Sequence, residues 1–581
     1  MIPESSPEVA LRRPNRALMT ESAIYQEVGR LLVERNSLTR GQLDDATVRS
    51  TLLGKGLDEV LLDENWVPEA VILELLSEVT GIPTMPMARF SIPREGIRKV
   101  PSGTALTYRI IPVAFSEESI TIATHRIHEV TGHDSLQTLL RMPVSWVLCT
   151  RSEVDAAIKH FYGLGADLLK AMEGNATRPK ISEGELELST PGLSKLLGEI
   201  IREAIQRNAS DIHLEPMEDR MSLRYRVDGS LIKIPLPEGV ERHYKSIVSA
   251  LKVLAQLNIT ERRLPHDGRA RMTVDGETFD LRVSILPTQY GEAANLRILN
   301  RKTTFLTLQE LGLRAGQLPL IKELMSRPHG IVLITGPTGS GKTSTLYAAL
   351  SSIRTDSISV VTIEDPVEYQ LDGILQIQAQ SEIGLTFAAG LRAVLRHDPN
   401  VILIGEIRDT ETADIAIKSS LTGHLVFSTL HTNDSAGAMA RLTDMGIEPY
   451  LVASSVQGVI AQRLVRRVCQ HCLEPMELPG EILREVEALF PEQGGAFHFV
   501  RGRGCPDCKF TGYKGRLAIF EILMMDQALR PLVVKNVPSD EIRRLAVARG
   551  MATLRHNAWH VAMEGITTVE EVLRVTPSER T

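Results

Sequence analysis

The segment Gly336-Pro337-Thr338-Gly339-Ser340-Gly341-Lys342-Thr343, followed by Ser344, has the composition and spacing of a loop that binds a nucleoside triphosphate. Glycines at 336, 339 and 341 let the backbone curl without side-chain obstruction, so successive N–H groups and a helix N-terminus can face phosphate oxygens. Lys342 is expected to reach the β- and γ-phosphates of ATP, and Thr343 to offer its hydroxyl to Mg²⁺. The motif is informative because of its flanks: the apolar IVLIT before it reads as a strand, and STLYAALSSI after it as a helix. Without them, a glycine-rich strand-to-helix turn would carry no chemistry.

Such a loop does not separate a kinase from a GTPase or a motor, so the acids downstream must decide. TIEDPVEY sets Glu364 and Asp365 at the end of one expected strand, and DPNVILIGEIRD sets Glu406 at the end of another. Carboxylates at strand C-termini face the crevice of an open α/β sheet, where one can orient water and another can hold Mg²⁺. Glu406 is expected as the main acid, Glu364 as sharing or taking the base role, and Thr343, Asp365 and Glu406 as the magnesium set. Sequence leaves the split between the two glutamates open. His424 and His431 flank HLVFSTL and stand too far apart in an extended segment to be assumed one metal pair.

Four of the five cysteines form two CxxC pairs, Cys469/Cys472 and Cys505/Cys508, with 32 residues between the pairs. Four thiolates so arranged suit a closed, tetrahedral structural Zn²⁺. A redox CxxC would want a thioredoxin-like context, which is absent, and free thiols in a reducing compartment are the other reading. Cys149 stands alone in the apolar VSWVLCT and reads as a buried thiol.

These groups need positioning elements, and 581 residues are too many for one hydrophobic core. The expected parts are a disordered leader over 1–19, an N-terminal docking or regulatory α/β module over 20–162, a polar linker over 163–192 and an α+β domain over 193–302. There follow a doubly wound ATPase domain over 303–468, the tetracysteine subdomain over 469–520 and a helical region over 521–581. In the N-terminal module Thr39 and Gln42 could close a capping box, and RIIPVAFSEESITIAT reads as a hairpin turning at Ser116–Ser119. No apolar run approaches the ~20 residues that span a bilayer, and the N-terminus lacks the apolar core of a secretory signal. The chain is expected to remain cytoplasmic. A net charge of −7 gives no general basic footprint, so nucleic acid is not an expected partner.

In order, GPTGSGKT, TIEDPVEY, LRHDPNVILIGEIRD and LTGHLVFSTLHTND resemble the Walker A, aspartate, Walker B and histidine boxes of the secretion ATPase superfamily, specifically its type II secretion and type IV pilus assembly motors. The resemblance covers residues 193–581 and implies a fold: multidomain α/β, with a RecA-like core, an α+β (PAS-like) mobile domain, an N-terminal α/β module and a tetracysteine zinc insertion. It also implies a homo-hexamer that hydrolyses ATP while the mobile domain closes over the nucleotide, acting on an inner-membrane platform protein and the cytoplasmic domain of a bitopic membrane partner. Peripheral contact with the inner face of the inner membrane goes with that role. Arg282 and Arg297 match positions that bring guanidinium groups to the γ-phosphate, and His424 and His431 match the box that senses it. Two departures stand out. Ala293 follows Gly291-Glu292 where the family commonly has lysine, and Asn400 replaces an aspartate ahead of Glu406.

The secretion branch is favoured by LTGHLVFSTLHTND with DMGIEPYLVASSVQGVIAQRLVRR, and the cysteine insertion argues against pilus retraction. Pilus extension is the alternative, followed by a nucleic-acid-translocating ATPase or a non-hydrolysing scaffold. Some relatives bind cyclic di-GMP through paired N-terminal motifs. VGRLLVERNSLTRGQL and GLDEVLLDENWVPEAV keep the leucine spacing but lack the RLG triplet, so a docking role is preferred there.

Overall fold

The computed structural model describes residues 20–577, apart from 54, 91, 128–129, 131–132, 164–190, 238, 301–305 and 494–496. The leader expected over 1–19 and nearly all of the linker expected over 163–192 lie outside the described residues. The chain divides into two compact units: residues up to Leu299 with Arg503–Gly512, and Asn300–Gly502 with Tyr513–Thr581.

The first unit begins with helices Glu21–Glu34, Arg40–Leu53, Leu57–Asp63 and Glu69–Thr80 around one apolar cluster. The capping box is present: Gln42 N–H donates to Thr39 Oγ1 (3.3 Å) and Thr39 N–H to Gln42 Oε1 (3.0 Å). The hairpin is also present as β1 (Ile110–Phe115) antiparallel to β2 (Ile120–Thr124), with β3 (Val144–Leu148) parallel on the other side of β2. A second part of the unit is a six-stranded sheet of β4 (Ala209–Pro216), β5 (Met221–Val227), β6 (Ser230–Ile234), β7 (His266–Val274), β8 (Glu277–Thr288) and β9 (Gly291–Asn300), in the order β6-β5-β4-β9-β8-β7. Alternation decides its faces. Met221, Leu223 and Tyr225 of β5 are buried with helices Pro191–Gln206 and Tyr244–Leu254, while Arg224 and Arg226 point the other way. Asp228-Gly229 and Asp275-Gly276 both take positive φ, the pair of conformations that a tight two-residue hairpin requires, and so fix the β5–β6 and β7–β8 registers.

The second unit is built on a seven-stranded sheet: β10 (Gly330–Thr335), β11 (Val360–Glu364), β12 (Leu375–Gln378), β13 (Val401–Ile404), β14 (Leu425–Leu430), β15 (Val456–Val468) and β18 (Tyr513–Met524), in the order β12-β11-β13-β14-β10-β15-β18. All pairs are parallel except β15–β18. β10, β11, β13 and β14 are buried at every residue because both faces are covered. Ile331 and Leu333 enter one cluster and Val332 and Ile334 the other, so successive side chains feed cores on opposite faces. The sheet continues past residue 468: GYKGRLAIFEIL forms its antiparallel edge strand. Between β15 and β18 the chain makes a separate two-stranded ribbon of β16 (Leu473–Met476) and β17 (Phe499–Gly502).

Candidate nucleotide site and tetracysteine cluster

The order of the parallel strands lines up the chemistry. The loop 336–341 leaves the end of β10, His431 follows β14, Glu406 lies two residues beyond β13, and Glu364 is the last residue of β11. Since β10, β14, β13 and β11 are consecutive neighbours ~4.8 Å apart, the four groups form a row along one sheet edge.

Within the loop all three glycines take positive φ, and at Gly336 and Gly341 the surroundings also leave no room for a side chain. A Cβ at Gly336 (φ 151°) would meet Gln462 O at 2.5 Å, and Gly341 (φ 87°) precedes the helix Lys342–Ile353 in a left-handed conformation. Pro337, Thr338 and Gly339 are the exposed lip, Ser340 is buried, and Gly341, Lys342, Thr343 and Ser344 are half-buried at the helix N-terminus. Lys342 Nζ donates to Gly336 O (2.8 Å) and Pro337 O (3.1 Å), folding back on the loop's own carbonyls. Burial lowers its pKa, with nearby Arg463 adding to that and Glu406 opposing it.

Glu406 accepts from Arg408 Nη2 (2.5 Å) and lies 3.3 Å from His431 Nε2. Burial pushes its carboxyl up, but Arg408 and His431 outweigh burial and hold it below the usual value, so it is a carboxylate at neutral pH. Asp365 is exposed and within electrostatic range of Arg408. Among the described residues, Asp365 and Glu406 do not join a third acid, histidine or cysteine in a preformed cation site, so a Mg²⁺ here would draw on phosphate oxygens and water. Glu364 differs from Glu406: only 4% exposed, it accepts side-chain hydrogen bonds from Thr362, Tyr347 and Gln376.

The structure brings His431 to Glu406 but not His424. That residue precedes β14, at the opposite end of a six-residue strand, roughly 20 Å away along the chain, and its Nδ1 lies 3.0 Å from Ser419 O. In the first unit, Arg297 pairs with Asp211 (2.9 Å) and is otherwise exposed, and Arg282 stands directly across from Arg269 in the β7–β8 register. The same strand face carries Asp267 and the Arg271–Asp280 pair (3.0 Å). Of the two departures, Asn400 ties strand starts together, its Oδ1 accepting from Ser359 N–H (2.8 Å), and Glu292 beside Ala293 pairs with buried Lys252 at 2.6 Å. Sequence reading passed over Arg408, Arg269, Tyr347 and Gln376. Arg408 had a signal in its place two residues after Glu406, whereas Gln376 is reachable only through the β11–β12 pairing.

Cys469, Cys472, Cys505 and Cys508 are buried, and their sulfurs lie within 4.8 Å of one another. The Cys505–Cys508 sulfur separation is 3.8 Å, close to the ~3.8 Å edge of a tetrahedron with Zn–S bonds of ~2.3 Å. Backbone N–H groups of Cys505 and Gly512 point at Cys508 Sγ, which suits a thiolate. The donor set therefore fits zinc. Cys149 is buried, its thiol directed at Met85 O, and burial raises its pKa.

The model of the family described as Type II/IV secretion system protein matches residues 187–574, and that of the MshEN domain matches residues 80–168, beginning beyond both degenerate N-terminal motifs. The chain is 37% identical over 563 residues to the type IV pilus assembly ATPase PilB of Myxococcus xanthus, covering 95% of this chain and 99% of that one. It is 38% identical over 568 residues to the type II secretion system protein E of Xanthomonas campestris, covering 96% and 100%. A third relative, the type II secretion system protein E of Pseudomonas aeruginosa, is 47% identical over 385 residues, covering 66% and 76%. With its nucleotide loop, acids and histidine ordered along one sheet edge, the chain belongs to the Type II/IV secretion system protein family.

Proposed function

We propose that this chain is an ATP-hydrolysing motor, assembled as a hexamer, that drives pseudopilus assembly for type II protein secretion through an inner-membrane platform protein. The observation that carries the reading is the row of loop, His431, Glu406 and Glu364 along the ends of β10, β14, β13 and β11. In this reading Lys342 and the loop amides hold the β- and γ-phosphates, while Thr343 and Glu406 hold Mg²⁺, Asp365 assisting. Glu364 shares the base role with Glu406, and His431 couples the γ-phosphate to Glu406 by changing its hydrogen bond. Arg282 and Arg297 supply guanidinium groups to the γ-phosphate when the assembly closes. His424, remote from Glu406, serves the histidine box from the start of β14. Zn²⁺ is held by the four cysteines and closes that excursion of the chain.

Pilus extension remains a second reading, because a relative aligned over nearly the whole chain is named a pilus assembly ATPase. A cytoplasmic location at the inner face of the membrane follows from either motor role, and no helix among the described residues is long and apolar enough to cross a bilayer. The test is phosphate release from ATP by the full chain and by Lys342→Ala. Wild-type turnover with a variant that neither binds nor hydrolyses ATP supports the reading. Phosphate release by Lys342→Ala at the wild-type rate overturns it.

A further inference from the structure

Three side-chain donors converge on Glu364 from three different elements. Thr362, two residues back on β11, gives its hydroxyl to Oε1 (2.6 Å), and Gln376 of β12 gives its amide to the same oxygen (3.2 Å). Tyr347, one turn into the helix that follows the phosphate loop, gives its hydroxyl to Oε2. Gln376 is itself oriented: its Oε1 accepts from Leu371 N–H (2.7 Å), and its amide also reaches Tyr369 O (3.2 Å). Tyr347 is 1% exposed and Thr362 fully buried, so water does not substitute for these donors. Burial and the adjoining carboxylate push the tyrosine's pKa up, which keeps its hydroxyl a donor.

A carboxylate offers about four lone-pair positions, two per oxygen. Here both positions on Oε1 are filled, and one on Oε2. We propose that Tyr347 and Gln376 are positioning residues that fix Glu364 with a single open acceptor position, on Oε2, for the proton of the attacking water. This rests on the reading that Glu364 shares the base role. In the step concerned, the water oxygen bonds to the γ-phosphorus while the bond to the bridging oxygen breaks. ADP leaves with that electron pair, and one water proton passes to Oε2. Tyr347 and Lys342 share one helix, so the group that aims Glu364 and the phosphate-loop lysine stand on one element.

Tyr347→Phe removes the hydroxyl and keeps the ring, which packs edge-on to Tyr369 at 4.6 Å. Steady-state ATP hydrolysis is measured on the full-length assembled protein for Tyr347→Phe, Gln376→Ala and Glu364→Gln, and for Tyr347→Phe combined with Glu364→Gln. Melting temperature and assembly state are read alongside. Tyr347→Phe is expected to lower kcat about tenfold with KM for ATP unchanged, and Gln376→Ala to lower it in the same sense. In the Glu364→Gln background, Tyr347→Phe is expected to cost nothing further, since the group it aims is gone. An equal loss in both backgrounds, or Tyr347→Phe turning over at the wild-type rate while Glu364→Gln is inactive, overturns the positioning role. Wild-type turnover by Glu364→Gln instead overturns the underlying reading of Glu364.

Discussion

At residue scale the two glutamates sit in opposite environments. Glu406 faces a guanidinium and an imidazole at a half-open edge, whereas Glu364 is enclosed by neutral donors. A carboxylate whose partners are an exposed guanidinium and an exposed imidazole suits metal and phosphate handling, because Mg²⁺ can take the place of those partners and the γ-phosphate can accept from them. Glu406→Gln is therefore expected to lower kcat by on the order of 100-fold while ATP binding survives, and His431→Ala to lower it by about tenfold. Steady-state hydrolysis with nucleotide binding measured separately checks both, and loss of ATP binding by Glu406→Gln would oppose this assignment. The positions of Lys342, Glu406 and His431 beyond neighbouring strand ends were legible because each follows an apolar strand with a motif around it. The enclosure of Glu364 was not, because its donors come from three elements whose adjacency is a tertiary fact.

At element scale, the parallel strands were legible as unbroken apolar runs, and their ends gave the site its line. β7 was missed because its sequence, HDGRARMTV, exposes charged residues on one face and hides few apolar ones on the other. β18 was missed as a member of the main sheet because the cysteine excursion separates it from β15, its antiparallel neighbour. That edge is pinned by the C-terminal helix Val569–Val575: Glu571, fully buried, accepts from Arg466 of β15 (2.7 Å) and from Arg574 (2.8 Å). Burial pushes the Glu571 carboxyl up, but Arg574 and Arg466 outweigh it and bring its pKa down to about 2. A carboxyl depressed from 4.5 stabilises the fold fully above pH ~4.5, and that stability is lost as pH falls toward 2. Glu571→Gln is expected to cost about 3 kcal/mol at pH 7, with the melting-temperature gap to wild type narrowing between pH 5 and pH 3. A gap independent of pH would contradict the ion-pair account.

At the scale of the whole molecule, the tetracysteine cluster and the motor reading make separate claims. The cluster should hold about one zinc per chain by metal analysis, and Cys505→Ser should release it and lower thermal stability. A purified chain that carries disulfides in place of metal would refute that assignment. The motor claim is that no single chain completes the catalytic site, with Arg282 and Arg297 acting on ATP only within the ring. Its direct test is ATP turnover per chain on size-fractionated protein, monomer against hexamer, for wild type and for Arg282→Ala with Arg297→Ala. Turnover confined to the wild-type hexamer, with the arginine variant reduced to the monomer rate, is the predicted result. Equal turnover per chain in monomer and hexamer would contradict it.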